Sequence, residues 1–127
     1  MSSLKAIHTP SAPQAIGPYS QAIGSGNLVF LSGQIPLDPT TMELIAGDTA
    51  AQAAQVFKNL AEVATAAGGS LSQVAKLTIY LTDLSEFATV NSVMASHFTE
   101  PYPARATIEV SALPKGASVE VDAILVL

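Results

Sequence analysis

Residues 101–127, PYPARATIEVSALPKGASVEVDAILVL, decide how the rest of the chain is read, because they hold its only arginine and place it on a predicted strand. Pro101 and Pro103 cannot donate ladder hydrogen bonds, so regular pairing is expected to begin after them. Residues 105–111 then alternate with period two. Arg105, Thr107, Glu109 and Ser111 take one face, and Ala106, Ile108 and Val110 take the other. The loop ALPKGA at 112–117 supplies the Pro and Gly that turn the chain. In the returning stretch, Val119, Val121, Ala123 and Leu125 line one side and Glu120, Asp122, Ile124 and Val126 the opposite side. A hairpin with Ser111 opposite Ser118 puts Arg105, Thr107 and Glu120 on one face, so that a guanidinium and a carboxylate look into the same space. A pair of solvated cross-strand charges would leave the same pattern.

Working back toward the N-terminus, residues 86–98 read as a helix capped by Ser85, with an apolar stripe of Phe87, Val90, Met94 and Phe98. Asn91 sits in that stripe. Burying an unpaired amide costs about 1–3 kcal/mol, so Asn91 needs a partner, either a backbone group or a ligand. Residues 74–82 alternate as a half-buried strand with Leu77, Ile79 and Leu81 inward. Residues 49–67 form the long helix, with Thr49 and Gln52 spaced as a capping box and Gly68-Gly69 as the stop. The run NLVFLSGQ at 27–34 is nearly all apolar and predicts a central strand buried on both faces. Gly33 at its end permits a bulge or the close approach of another group, with the Ser32 hydroxyl beside it. The segment APQAIGPYSQA at 12–22 is a stiff loop in which Gly17-Pro18 fixes the backbone around Tyr19. Residues 5–8 make a short strand. Strands interleaved with two helices predict an α+β domain, its helices on one face of the sheet.

The 127 residues are expected to form one domain, 1–127. Only 12% are charged, against about 25% in an average soluble domain, so little charge is available to cover a monomer, and identical subunits are expected to close over the other sheet face. The formal charge of −5, with Lys5, Lys58, Lys76, Lys115 and Arg105 as the only cations, argues against nucleic acid as a partner. There is no cysteine, and His8 and His97 stand alone, so no metal site is expected. No Walker loop, GxGxxG or GxSxG elbow occurs. No leader-like or membrane-spanning apolar run is seen, which makes the cytoplasm the expected location.

What remains is Arg, Glu, Thr, Asn, Tyr and a Ser-Gly strand end, a set suited to hydrating a small electrophile that bears a carboxylate. Four ordered motifs, AIGPYSQA at 15–22, LSGQIPLDP at 31–39, FATVN at 87–91 and PARATIEVSALPKGASVEV at 103–121, resemble the Rid family of reactive intermediate deaminases, also called the YjgF family. The resemblance implies a chorismate-mutase-like (YjgF-like) fold, a homotrimer with three sites between subunits, and hydrolysis of 2-iminobutanoate and 2-iminopropanoate to 2-oxo acids and ammonia without a cofactor. It further implies that Arg105 clamps the carboxylate and Glu120 positions the attacking water. Tyr19 and Phe87 would wall the pocket, Gly33 and Thr107 would give backbone contacts, and Ser32 and Asn91 would order the site. Many members have Cys where this chain has Thr107. A metabolite-binding or chaperone-like trimer and a translation-inhibiting ribonuclease are the competing readings.

Overall fold

The computed structural model, which describes residues 3–127, builds one sheet from six strands: β1 (Leu4–Ile7), β2 (Ala22–Ser25), β3 (Leu28–Gln34), β4 (Val74–Leu81), β5 (Ala104–Glu109) and β6 (Val119–Val126). Helix α1 (Thr49–Ala66) connects β3 to β4, and α2 (Phe87–His97) connects β4 to β5. The strand order is β1-β2-β3-β6-β4-β5. Every neighbouring pair is antiparallel except β4 and β5, which run parallel across the α2 connection.

The expected hairpin between residues 105–111 and 118–127 does not form, because β4 lies between the two strands. The reason is burial. On β6, Val119, Val121, Ala123 and Leu125 are at most 4% exposed, so this strand must lie under the helices, where it pairs with both β3 and β4. Within β5 only Thr107 is partly covered, which suits an edge strand that α2 delivers alongside β4. Pairing does begin just beyond Pro103, at Ala104.

The run at 27–34 is central but not buried on both faces. Val29, Leu31 and Gln34 point into the core, whereas Leu28 and Phe30 are 38% and 44% exposed on the face without helices. Strand β2 has no counterpart in the sequence reading. It is four residues long, and a two-residue turn with Gly26 at φ 60° joins it to β3.

Helix α1 is capped by Asp48, which accepts from the Ala51 N–H at 3.0 Å, rather than by the Thr49 and Gln52 box. The Gln52 side chain is used elsewhere: its carbonyl oxygen accepts from the Ser118 N–H (2.9 Å) and hydroxyl (2.8 Å), tying the helix to the start of β6. At the other end, the Gly69 N–H reaches the Ala64 carbonyl and the Gly68 N–H that of Thr65, with Gly68 at φ 90°, the expected glycine stop. Ala53, Val56, Phe57, Leu60 and Val63 of α1 pack against Leu77, Ile79, Leu81, Val121 and Leu125. Burying each large side chain here contributes about 1.5–3 kcal/mol. Before α2, Asp83 is the residue that caps, accepting from the Ser85 N–H (3.0 Å) and hydroxyl (2.7 Å), so Ser85 donates rather than caps.

Candidate functional site

Arg105 stands on β5 in register with Leu77, and so projects toward the helices. Its Nη1 donates to Asn91 Oδ1 (2.5 Å) and approaches Met94 Sδ (3.7 Å), while the guanidinium lies 5.2 Å from the centre of the Phe87 ring. Three side chains of α2 therefore hold the guanidinium by one nitrogen and one face. Nε and Nη2 have no hydrogen-bond partner among the described residues and are free for a planar, two-oxygen ligand. The amide of Asn91 has thus found its partner in a side chain, neither the backbone group nor the ligand expected. A cavity of about 500 Å³ opens beside the guanidinium, lined by Asn91, Met94, Ala95, Tyr102, Pro103 and Arg105.

The free edge of β5 adds backbone donors. The Val110 N–H bonds to the Leu81 carbonyl (2.8 Å), and because direction alternates along a strand, the N–H groups of Arg105 and Thr107 face away from β4. The Thr107 hydroxyl is buried with no hydrogen-bond partner among the described residues, at a cost of about 1–3 kcal/mol.

Glu120 lies elsewhere. It is paired with Tyr80 on β4 and shares with it the sheet face that the helices leave open. Gly33 is its floor. The β3–β6 register slips between the Leu31–Ala123 and Gln34–Val121 pairs, and the backbone at Gly33 passes so close that a Cβ there would overlap Glu120 Oε2 and lie 3.0 Å from its Cδ. The sequence left a bulge or a close approach open at Gly33, and both occur. Ser32 is fixed by two bonds, N–H to Gln21 O (3.0 Å) and hydroxyl to Ser20 O (2.5 Å). Tyr19, 52% exposed, accepts the Ile16 N–H on its phenol oxygen (3.2 Å), closing the Gly17-Pro18 loop beside the same space. This second cavity, of about 280 Å³, is lined by Gln14, Ile16, Tyr19, Gly33, Lys115 and Glu120 among others.

Burial raises the Glu120 carboxyl above the usual glutamate range, and the nearby Asp122 charge adds to the effect. Asp122 itself accepts from the Tyr80 hydroxyl at 2.9 Å, which raises the tyrosine's pKa, helped by burial.

Arg105 and Glu120 consequently occupy opposite faces of the sheet, and the expectation that one chain brings them into the same space is overturned. Phe87, Asn91, Arg105 and Thr107 form one group; Tyr19, Ser32, Gly33 and Glu120 form the other. Sequence reasoning placed Met94 in the core stripe and missed its contact with the guanidinium, and it gave no role to Gln21. That side chain, 2% exposed, grips the Tyr19 loop by accepting from Thr9 N (2.7 Å) and donating to Thr9 O (3.0 Å) and Pro13 O (2.8 Å). A lone amide between Tyr19-Ser20 and the apolar pair Ala22-Ile23 was its only signal.

The family described as Endoribonuclease L-PSP matches residues 9–127. The chain belongs to the Rid (YjgF) family. Among its Rid relatives, Protein DfrA of Myxococcus xanthus is 57% identical over 124 residues, covering 96% of this chain and 95% of that one. The 2-iminobutanoate/2-iminopropanoate deaminase of Homo sapiens is 43% identical over 128 residues, covering 99% and 93%. The crystal structure of RidA from an Antarctic Psychrobacter superposes with a TM-score of 0.94 at 52% identity, covering 97% and 99%. The Rid fold expected from the motifs, a mixed sheet with two helices on one face, is the fold observed.

Proposed function

We propose that this Rid protein hydrolyses 2-imino acids such as 2-iminobutanoate and 2-iminopropanoate to 2-oxo acids and ammonia, at sites shared between subunits of a cytoplasmic homotrimer. The observation that carries the reading is the division of labour between the two faces. One presents an arginine braced by Phe87, Asn91 and Met94 with two nitrogens free, and the other a half-buried carboxylate seated on a glycine. Each half lacks what the other supplies, and the open face that bears Glu120 also exposes Phe30 and Ile108, both 44% exposed. A second copy that docks the free edge of its β5 against that face would bring its Arg105 toward Glu120. Relatives named as imine deaminases at 43–44% identity support the substrate class.

In this mechanism Arg105 takes the substrate carboxylate through Nε and Nη2, and the Thr107 N–H at the free strand edge assists. Glu120 of the adjoining subunit accepts a hydrogen bond from a water and directs its oxygen at C2 of the imine. As the new C–O bond forms, the C=N electron pair moves to nitrogen, and Glu120 takes one proton from the water and delivers it to that nitrogen, giving a neutral tetrahedral carbinolamine. Glu120 then takes the proton of the new hydroxyl and delivers it to the amine nitrogen. The oxygen electrons form C=O as the C–N bond breaks, its electron pair leaving with ammonia and the 2-oxo acid remaining. A carboxyl with a raised pKa suits this shuttling, since its basicity lies closer to neutral pH. Tyr19 and Phe87 wall the space against bulk water, and Ser32 and Gly33 shape its floor.

Subunit mixing tests the division. Arg105→Ala and Glu120→Gln proteins should each be inactive in releasing 2-oxobutanoate from 2-iminobutanoate generated in situ. Mixed, unfolded and refolded together, they should regain activity at about a quarter of the sites by random assortment in a cyclic assembly. Two inactive proteins that stay inactive when mixed would contradict the shared site, and a monomer in sedimentation would do so independently.

A further inference from the structure

Thr107 carries the one buried side-chain nitrogen or oxygen that lacks a hydrogen-bond partner among the described residues. Elsewhere this chain satisfies such groups thoroughly. Gln21 makes bonds to Thr9 and Pro13, Gln52 binds Ser118, and Asn59, fully buried, donates to Leu37 O at 3.0 Å. One leftover hydroxyl in such a structure needs a reason. Packing is not that reason, because valine has the same shape without the oxygen.

The position suggests one. Thr107 follows Arg105 by two residues on the same face of β5, about 7 Å along the strand. Its own N–H looks out from the free strand edge, so an acceptor held by that N–H is within reach of the hydroxyl of the same residue. Rotation about χ1 between staggered wells moves the hydroxyl by about 120°. No existing hydrogen bond has to break for this to happen.

We infer that the Thr107 hydroxyl is a ligand-dependent donor. It is turned inward and unpartnered in the free chain, and it rotates outward to donate to the carboxylate oxygen that the Thr107 N–H also holds, beside the guanidinium of Arg105. This rests on the 2-imino acid reading and deepens it, making Thr107 a side-chain determinant of carboxylate recognition as well as a backbone contact. The hydroxyl contributes more with the ligand than without, so the site gains affinity from a group that the free protein leaves unsatisfied.

Thr107→Val and Thr107→Ser separate the possibilities. The readouts are the dissociation constant for 2-oxobutanoate, KM and kcat for in situ 2-iminobutanoate, and the melting temperature without ligand. Thr107→Val should melt at or above the wild-type temperature, bind 2-oxobutanoate about tenfold more weakly and raise KM by a similar factor. Its kcat should change less than about twofold, since only uniform binding is lost. Thr107→Ser should bind as wild type does. Unchanged binding by Thr107→Val in an active enzyme overturns the inference alone. So does an equal loss in Thr107→Ser, which would implicate the methyl group, or a clearly lower melting temperature in Thr107→Val, which would mean the hydroxyl has a structural partner. A wild type that neither binds 2-oxobutanoate nor hydrolyses any imine overturns the parent reading, and this inference with it.

Discussion

Replacing Gly33 by alanine should separate activity from stability. The Cβ introduced there would overlap Glu120 Oε2 and stand 3.0 Å from Cδ and 3.3 Å from Cγ, where ordinary contact is 3.4–4 Å. The crowded atoms are the far end of a flexible side chain, so the backbone can stay and the carboxylate will yield. Its retreat, about 1 Å, is a displacement that costs on the order of a hundredfold when it moves a catalytic group. Stability should not follow. Gly33 does not occupy the left-handed region, and restricting a glycine in the unfolded chain contributes about 0.4–1 kcal/mol in favour of folding. Gly33→Ala should therefore release 2-oxobutanoate from in situ 2-iminobutanoate about a hundredfold more slowly while melting within a few degrees of wild type. Wild-type turnover would refute the claim that Glu120 must sit where it does. A collapse of the melting temperature would show that the crowding falls on the backbone, and the argument from side-chain displacement would be wrong.

Other outcomes follow from the same geometry. Glu120→Gln should lower turnover by about 10²–10⁴. Because burial holds the Glu120 pKa above its unfolded value, its contribution to folding is fully present below the ordinary glutamate pKa and is lost as pH rises through the raised one. Glu120→Gln should accordingly melt higher than wild type at pH 7, with the advantage fading toward pH 4, and equal melting at both values would argue against desolvation. Arg105→Lys keeps a cation but loses the planar fork, so 2-oxobutanoate binding in calorimetry should weaken at least tenfold or so. Asn59→Ala leaves the Leu37 carbonyl without its buried donor and should destabilise the chain by about 1–3 kcal/mol in denaturant melts, with KM unchanged.

Much of the site was legible residue by residue. The bulge and close approach at Gly33 follow from a glycine ending an apolar strand, and the stiff Tyr19 loop from Gly17-Pro18. The identity of partners was harder. Asn91 was recognised as needing one, but the partner is Arg105, fourteen residues away and on another element. Ser85 and Thr49 looked like caps because they carry suitable oxygens. Asp48 and Asp83 took those places with carboxylates that bind the N–H groups more strongly. Met94 was indistinguishable from a packing residue, since its stripe position and its sulfur contact demand the same side chain.

Local alternation, helix periodicity, the glycine stops and the four family motifs are properties of short stretches, and the sequence alone determined them: two helices, the main strands, the α+β class and the family. Which strands touch was settled only by the tertiary structure. Residues 105–111 and 118–127 have complementary patterns and a turn between them, yet α2 carries β5 to the sheet edge, and the fully apolar inner face of β6 claims the centre. Period-two alternation says which side chains share a face of one strand, but it does not say which face of the sheet that becomes. That nonlocal choice put Arg105 under the helices and Glu120 on the open side.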